Sequence, residues 1–258
     1  MCSSFISAQS DYWQQHVEYK INAQLDTSTH IIKAECGIQY FNNSPDTLDR
    51  IYFHLWANAF SNKTSSFADQ ALKMGMTDYY FADDSELGGY QEITVALSSE
   101  EGELQLIYLD DQKEIAYVPI KGGVPPGQEI CLIFYYGLKI PNYFARLGKS
   151  NNLYNMVAWY PKPAVYDRNG WHTFPYLSMG EFYSEFANYE VTLSAPKGNT
   201  IAHSGYETKR YTNNDYQYKE TRLENAHDYA WFASPDFIIE EEKVTLNNNQ
   251  IVDVKIYR

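Results

Sequence analysis

Cysteine is scarce, with three in 258 residues, at Cys2, Cys36 and Cys131. Their spacing matches no zinc ligand set, which excludes a metal site built on cysteine. Cys36 and Cys131 fall inside apolar, strand-like runs. A free thiol there acts as a small buried hydrophobe, and a Cys36–Cys131 bond is the alternative. Long apolar runs are also missing: none approaches the ~20 residues of a membrane span. Basic clusters go no further than Lys209-Arg210, in a chain of 20 basic and 33 acidic residues with net charge −13. Phosphate backbones are held by Lys/Arg clusters, so nucleic acid is excluded as a partner, and an anionic membrane surface is hardly better served. The acidic excess reads as a solvated surface that favours solubility.

Catalytic signatures are missing as well. There is no G-x-S-x-G, no P-loop and no G-x-G-x-x-G. The histidines are His16, His30, His54, His172, His203 and His227; none precedes a glutamate and no two lie four apart. The helical zinc motif H-E-x-x-H is therefore absent. Acidic pairs such as Glu181/Glu185 and Glu100-Glu101 are unremarkable in so acidic a chain, and spacing alone cannot set two carboxylates across a cleft. Glu240-Glu241-Glu242 reads as a solvated loop. The residues of this chain, taken alone, do not describe an enzyme.

What is abundant is aromatic: 16% of the chain, with 24 Tyr, 13 Phe and 5 Trp. Tyrosine suits pleated, half-buried surfaces, which points to β structure. Val17, Tyr19, Ile21, Ala23 and Leu25 alternate with polar residues, as do Ile32, Ala34, Cys36, Ile38 and Tyr40. Period two marks strands with one wet face, and the polar "LDTSTH" between them makes an antiparallel hairpin. Ile51–Trp56 is bulky throughout and reads as buried on both faces. Further strands are expected at Gln91–Leu97, Leu104–Tyr108, Ile115–Ile120, Ile130–Tyr136, Tyr189–Ala195, Thr200–Ser204, Tyr216–Leu223, Tyr229–Ala233 and Val252–Tyr257, spaced as in sandwiches and open barrels. In "TSSFADQALKMGM" a serine cap precedes Phe67, Ala71 and Met74 at helical spacing, with Gly75 as the stop.

Residues 141–183 lack sustained periodicity, and irregular segments of that length are usually functional or hide a missed element. Within them, "AWYPKPAVYDRNGW" (Ala158–Trp171) carries Pro161 and Pro163, which cannot donate to a ladder and place the stretch at an edge or surface. Asn169-Gly170 favours a type I′ turn between arms Ala164–Asp167 and Trp171–Phe174.

Four segments, "YWQQHVEYKINAQLD", "NNSPDTLDRIYFHLWANAF", "WYPKPAVYDRNGWHTFPYLSMGEFYSEFANYEVTL" and "ENAHDYAWFASPDF", resemble in this order the N-terminal domain of the M1 family of zinc metallopeptidases, the gluzincin aminopeptidases. The likeness is to members from the Bacteroidetes group and runs from Tyr12 over essentially the whole chain. It implies an all-β, curved, saddle-like multi-sheet sandwich with one short helix, spanning residues 11–258 as a single domain. A thermolysin-like catalytic domain with the zinc and general base would follow it. On this reading the chain holds no cofactor or catalytic residue, zinc belongs to the parent's catalytic domain, and the partners are that domain and a peptide substrate. The resemblance places a loop at the substrate cleft over Ala158, Trp159, Tyr160, Pro161 and Ala164, with Tyr166, Trp171, His172 and Glu181 as an interface. The family's glutamine and amine-binding Glu/Gln fall on Ala158 and Tyr160, and its basic pair on Val165 and Tyr166, so the chain departs from the pattern there. The alternative is a free-standing glycan- or protein-binding module, with Trp159, Tyr160 and Trp171 as an exposed platform. "MCSSFISAQS" is too short for a signal peptide but ends like one. Residues 1–10 are thus expected to be the remnant of one, on a bacterial protein exported to the periplasm, outer membrane or medium.

Overall fold

The computed structural model describes residues 12–99, 102–180 and 182–258; Cys2, the expected signal remnant at 1–10 and Glu181 lie outside them. Strands take up 53% of the chain and helix 8%, so the all-β, multi-sheet expectation holds. The largest sheet has eight strands. In spatial order they are β16 (Tyr206–Thr212), β17 (Tyr216–Ala226), β14 (Ala187–Pro196), β1 (His16–Asp26), β2 (Ile31–Phe41), β8 (Glu129–Lys139), β4 (Gly89–Leu97) and β5 (Glu103–Leu104). One four-stranded sheet runs β15 (Thr200–His203), β18 (Trp231–Ser234), β10 (Leu153–Met156) and β9 (Gly148–Ser150). A second runs β11 (Lys162–Pro163), β3 (Leu48–His54), β7 (Ile115–Val124) and β6 (Ile107–Tyr108). Two hairpins complete the set, β12 (Val165–Asp167) with β13 (Gly170–His172), and β19 (Ile239–Thr245) with β20 (Ile251–Tyr257).

The period-two pattern becomes the core directly. Val17, Tyr19, Ile21, Ala23 and Leu25 point inward from β1, opposite Tyr40, Ile38, Cys36, Ala34 and Ile32 of β2. The polar alternates stay on the solvent face. A parallel pairing of β1 with β14, Val17 opposite Ala187, brings the distant second half of the chain into the same sheet. Phe53 of β3 meets Phe134 of β8 edge-on at 4.8 Å, which packs a four-stranded sheet against the large one. Each such fully buried side chain stabilises the fold by roughly 1.5–3 kcal/mol.

The predicted helix forms as α1 (Ser66–Lys73), followed by a single turn, α2 (Asp78–Phe81). Ser65 caps α1: its Oγ accepts from the Ala68 amide at 3.1 Å and donates to the Ala59 carbonyl at 2.7 Å. Gly75, at φ 76°, follows the last turn. Because Ser65 is fully buried, Ser65→Ala leaves both partners without water. A loss of about 1–2 kcal/mol in urea denaturation is the expected outcome.

Several expectations need correction. Cys36 and Cys131 are both free, as the first reading has it, with Cys36 buried and Cys131 half-buried; only the alternative of a bond falls. Cys36 lies opposite Phe134 and Cys131 opposite Gln39, an odd offset that puts the two thiols on opposite faces of the sheet and rules out a bond between them. Glu240–Glu242 are not a loop but part of β19, where Glu241 pairs with Lys255 at 2.8 Å. They are solvated as expected, but extended, because an exposed strand carries no apolar alternation. The β12–β13 turn is shifted by one residue: Asp167 pairs with Gly170, leaving Arg168-Asn169 as the loop. Neither loop residue has positive φ, whereas Gly170 has φ 96°, so the turn is not type I′. Asp167 Oδ1 accepts from the Asn169 amide at 2.7 Å, which favours aspartate first and glycine last, as in a type I turn.

Candidate functional site

The Ala158–Val165 stretch is where the sequence and the fold part company. It is an edge, as its prolines require, since β11 is the outermost strand of its sheet, with Lys162 opposite His54 and Pro163 opposite Phe53. It is not a surface. Ala158, Trp159, Tyr160, Pro161 and Ala164 are all buried, Trp159 and Ala164 completely. The segment is the corner by which the chain passes from β10, in one four-stranded sheet, to β11, in the other. Ala158 begins the corner in the left-handed region, at φ 57°. A buried alanine is held there only by surroundings that over-determine it.

Those surroundings are aromatic and hydrogen-bonded. The Trp159 indole N–H donates to the Tyr229 carbonyl at 3.0 Å, and its ring meets Trp231 edge-on. The Tyr160 hydroxyl donates to Asp228 Oδ1 at 2.7 Å and lies 3.2 Å from the Tyr189 hydroxyl. Lys162 Nζ donates to the His227 carbonyl at 2.8 Å and sits 3.1 Å from Asp228 Oδ1, above the rings of Trp56 and Tyr160. Its ammonium is nearly sealed, while Asp228 keeps 27% side-chain exposure. Burial lowers the Lys162 pKa and the Asp228 charge opposes that shift. Opposite it on β3, burial and then the Lys162 charge drive His54 down to about 3, so its ring is neutral. His54 Nε2 accepts from the Phe174 amide at 3.3 Å.

Tyr166, Trp171 and His172 lie together on the β12–β13 hairpin, half-buried. Trp171 packs on Tyr40, Tyr52 and Tyr166, and the Tyr166 hydroxyl donates to Asp46 at 2.8 Å. His172 Nε2 stands 2.8 Å from Asp167 Oδ1. The irregular segment that follows is pinned at intervals: Trp56 Nε1 donates to the Phe174 carbonyl, and the Tyr176 amide to Glu114. It also leaves Met179, Tyr183 and Phe186 at 62%, 47% and 40% exposure, the apolar groups of this region that remain free to meet a partner.

Sequence reasoning missed Lys162, Asp228, His54 and Glu114 and set Glu185 aside as an unremarkable acid, because what marks each is burial. Glu114 and Glu185 are both pushed up to about 7, first by burial. In the unfolded chain they titrate near ~4.3. Between those values the folded state holds protons that the unfolded state has lost, so stability falls as pH rises from about 4.5 to 7 and levels off above. Glu114→Gln removes that penalty: at pH 8 it is expected to be more stable than wild type by about 2–3 kcal/mol, with no gain at pH 4. Urea denaturation at four pH values checks both the size and the slope. Among the described residues no group of three or more His, Cys, Asp or Glu side chains is placed to hold a metal ion.

No protein-family model matches the chain, and no curated protein matches its sequence. Solved structures do match. An M1 zinc metallopeptidase of Deinococcus radiodurans, a variant bound to the substrate Tyr-Ser-Ala, aligns with a TM-score of 0.53 at 10% identity, over 94% of this chain and 47% of its own. A two-domain M1 zinc metallopeptidase variant bound to L-tryptophan gives 0.54 at 11% identity, over 95% and 48%. The Deinococcus radiodurans enzyme without a stated ligand gives 0.53 at 10%, over 94% and 46%. The fold is one that M1 zinc metallopeptidases contain. At this identity the likeness shows the fold alone, and the chain spans about half the length of these neighbours. No helix among the described residues is long and apolar enough to cross a membrane.

Proposed function

We propose that this chain is the non-catalytic N-terminal β domain of an M1-like zinc aminopeptidase, packed on a catalytic domain and forming one wall of its substrate cleft. The observation that carries this reading is the paired coverage: nearly all of this chain overlays about half of each neighbour. The zinc, its ligands and the general base would belong to the catalytic domain, where a metal-activated water attacks a peptide carbonyl. We place the parent among exported bacterial enzymes of Bacteroidetes type.

The role of Ala158 and Tyr160 in this parent is positional. Alanine has no polar side chain, and the Tyr160 hydroxyl is already engaged by Asp228 and Tyr189. Neither is free to hold a substrate amine. The corner would instead fix the placement of Met179, Tyr183 and Phe186 as the face turned to the catalytic domain. The platform of the binding-module alternative would need Trp159 and Tyr160 in an exposed row, and both are buried.

The purified chain is expected to retain no zinc through dialysis and to cleave no aminoacyl p-nitroanilide. The native polypeptide in full should carry H-E-x-x-H with a further glutamate ligand, and one zinc per chain. Hydrolysis by this chain alone, or a native polypeptide without that motif, would overturn the reading.

A further inference from the structure

The solvent face of the eight-stranded sheet holds a depression of roughly 630 Å³ that the domain reading leaves without a role. Its walls and floor come from residues that alternate with the core. Gly137 of β8 lies in the floor, between Lys33 of β2 and Glu92 of β4 in the cross-strand row. Its backbone is not in the left-handed region, and a Cβ built there would meet nothing within 4 Å. Neither conformation nor crowding therefore demands glycine at this site. A glycine inside a strand weakens it, and one use of that gap is close approach by another molecule.

The chemistry around the gap is specific. At one end Tyr211 of β16 and Tyr218 of β17 stack face to face, 4.8 Å apart and 3° from parallel. At the other end Tyr135 of β8 stands 46% exposed. Four inter-strand steps separate Tyr218 from Tyr135, about 19 Å at ~4.8 Å per step. The floor between them carries Thr192 and Ser194 of β14, Asn22 and Gln24 of β1, and Lys33 and Glu35 of β2. The charged lining is Lys33 against Glu35 and Glu92, and at the stacked end Lys209 lies over the Tyr211 ring, paired with Glu220 at 3.3 Å.

We propose that this groove binds a neutral oligosaccharide lying across the strands from the Tyr211/Tyr218 stack to β8, where it passes over Gly137 beside Tyr135. Pyranose rings have apolar C–H faces that pack on aromatic rings, and hydroxyl edges that pair with amides, hydroxyls and carboxylates. The groove offers both kinds of contact, rings at its two ends and polar side chains between them. Two separated lysines outnumbered by three carboxylates give no purchase to nucleic acid or a sulfated glycan, since phosphate and sulfate need clustered basic groups. Polar and charged side chains between the two aromatic ends leave no continuous apolar stripe for an amphipathic helix. The site is separate from the corner and from the face proposed to meet a catalytic domain, so it stands or falls independently of that assignment.

The test is calorimetric titration of the purified chain with cellohexaose, xylohexaose, mannohexaose and chitohexaose, with an extended polyalanine-type peptide as the contrasting ligand. Saturable binding of at least one hexasaccharide is expected. Gly137→Val should fill the groove, keep or raise the thermal midpoint, because valine suits a strand, and weaken binding by about tenfold or more. Tyr135→Ala, at an exposed position, should weaken it by a similar factor without unfolding. Heats indistinguishable from dilution for all four saccharides at millimolar concentration would overturn the proposal. So would unchanged affinity in both variants, or a preference for the peptide.

Discussion

Trp159→Ala is expected to destabilise the protein by about 3–5 kcal/mol, the range for removing a fully packed aromatic from a core. Trp159 has no exposed surface, and it contacts Tyr160 and Trp231 edge-on while its indole N–H satisfies the Tyr229 carbonyl. Truncation therefore opens a cavity and orphans a buried acceptor together. In a domain of this size that corresponds to a fall of about 10 °C in thermal midpoint. Trp159→Phe keeps most of the volume and loses the hydrogen bond, so it should cost about 1–2 kcal/mol. Urea curves with an unchanged slope would assign the difference to the folded state. A loss below 1 kcal/mol for the alanine variant would mean that the corner is not packed as described.

The second large effect is an asymmetry. Asp228→Ala should cost about 3–5 kcal/mol, because it strands the Lys162 ammonium where water barely reaches. Lys162→Met should cost about 1 kcal/mol or less. The remaining carboxylate keeps 27% side-chain exposure, the Tyr160 hydroxyl and the Tyr229 amide, and the methionine fills the space between Trp56 and Tyr160. The double variant should recover most of what Asp228→Ala loses, a coupling that a double-mutant cycle measures. The pH dependence has a definite sign. Without Asp228 the folded lysine has a pKa further below its unfolded value, so the unfolded state binds more protons and stability rises with pH. The Asp228→Ala penalty should thus shrink between pH 7 and 10. A penalty constant over that range would assign it to lost packing instead.

How much of this was legible in the sequence varies with the kind of contact. The β1–β2 hairpin was, because its pairing is local and its alternation places each side chain on one face or the other. The capped helix at Ser66–Lys73 was, for the same reason at a different period. The β12–β13 turn was legible in kind and missed by one residue, because Asp167 competes for the Asn169 amide and that bond outweighs the preference of Asn-Gly. The exposed strand β16 left no trace, since nearly every residue of Tyr206–Thr212 faces water and nothing alternates.

The candidate site was found by its aromatics and misjudged in its environment. Prolines and rings at 158–171 say that a segment is stiff and able to bury area; they do not say what covers it. The cover comes from Tyr229, Trp231 and Asp228, far along the chain, and from His54 and Trp56, far before it. The sequence by itself determined the strand faces, the all-β class, the acidic surface and the lack of any catalytic or metal motif, because these depend on composition and neighbours in the chain. Only the tertiary structure decided that Ala158–Val165 is a buried corner and that Lys162 is paired with Asp228. Burial and pairing across such distances are set by which strands meet, and no local pattern records that.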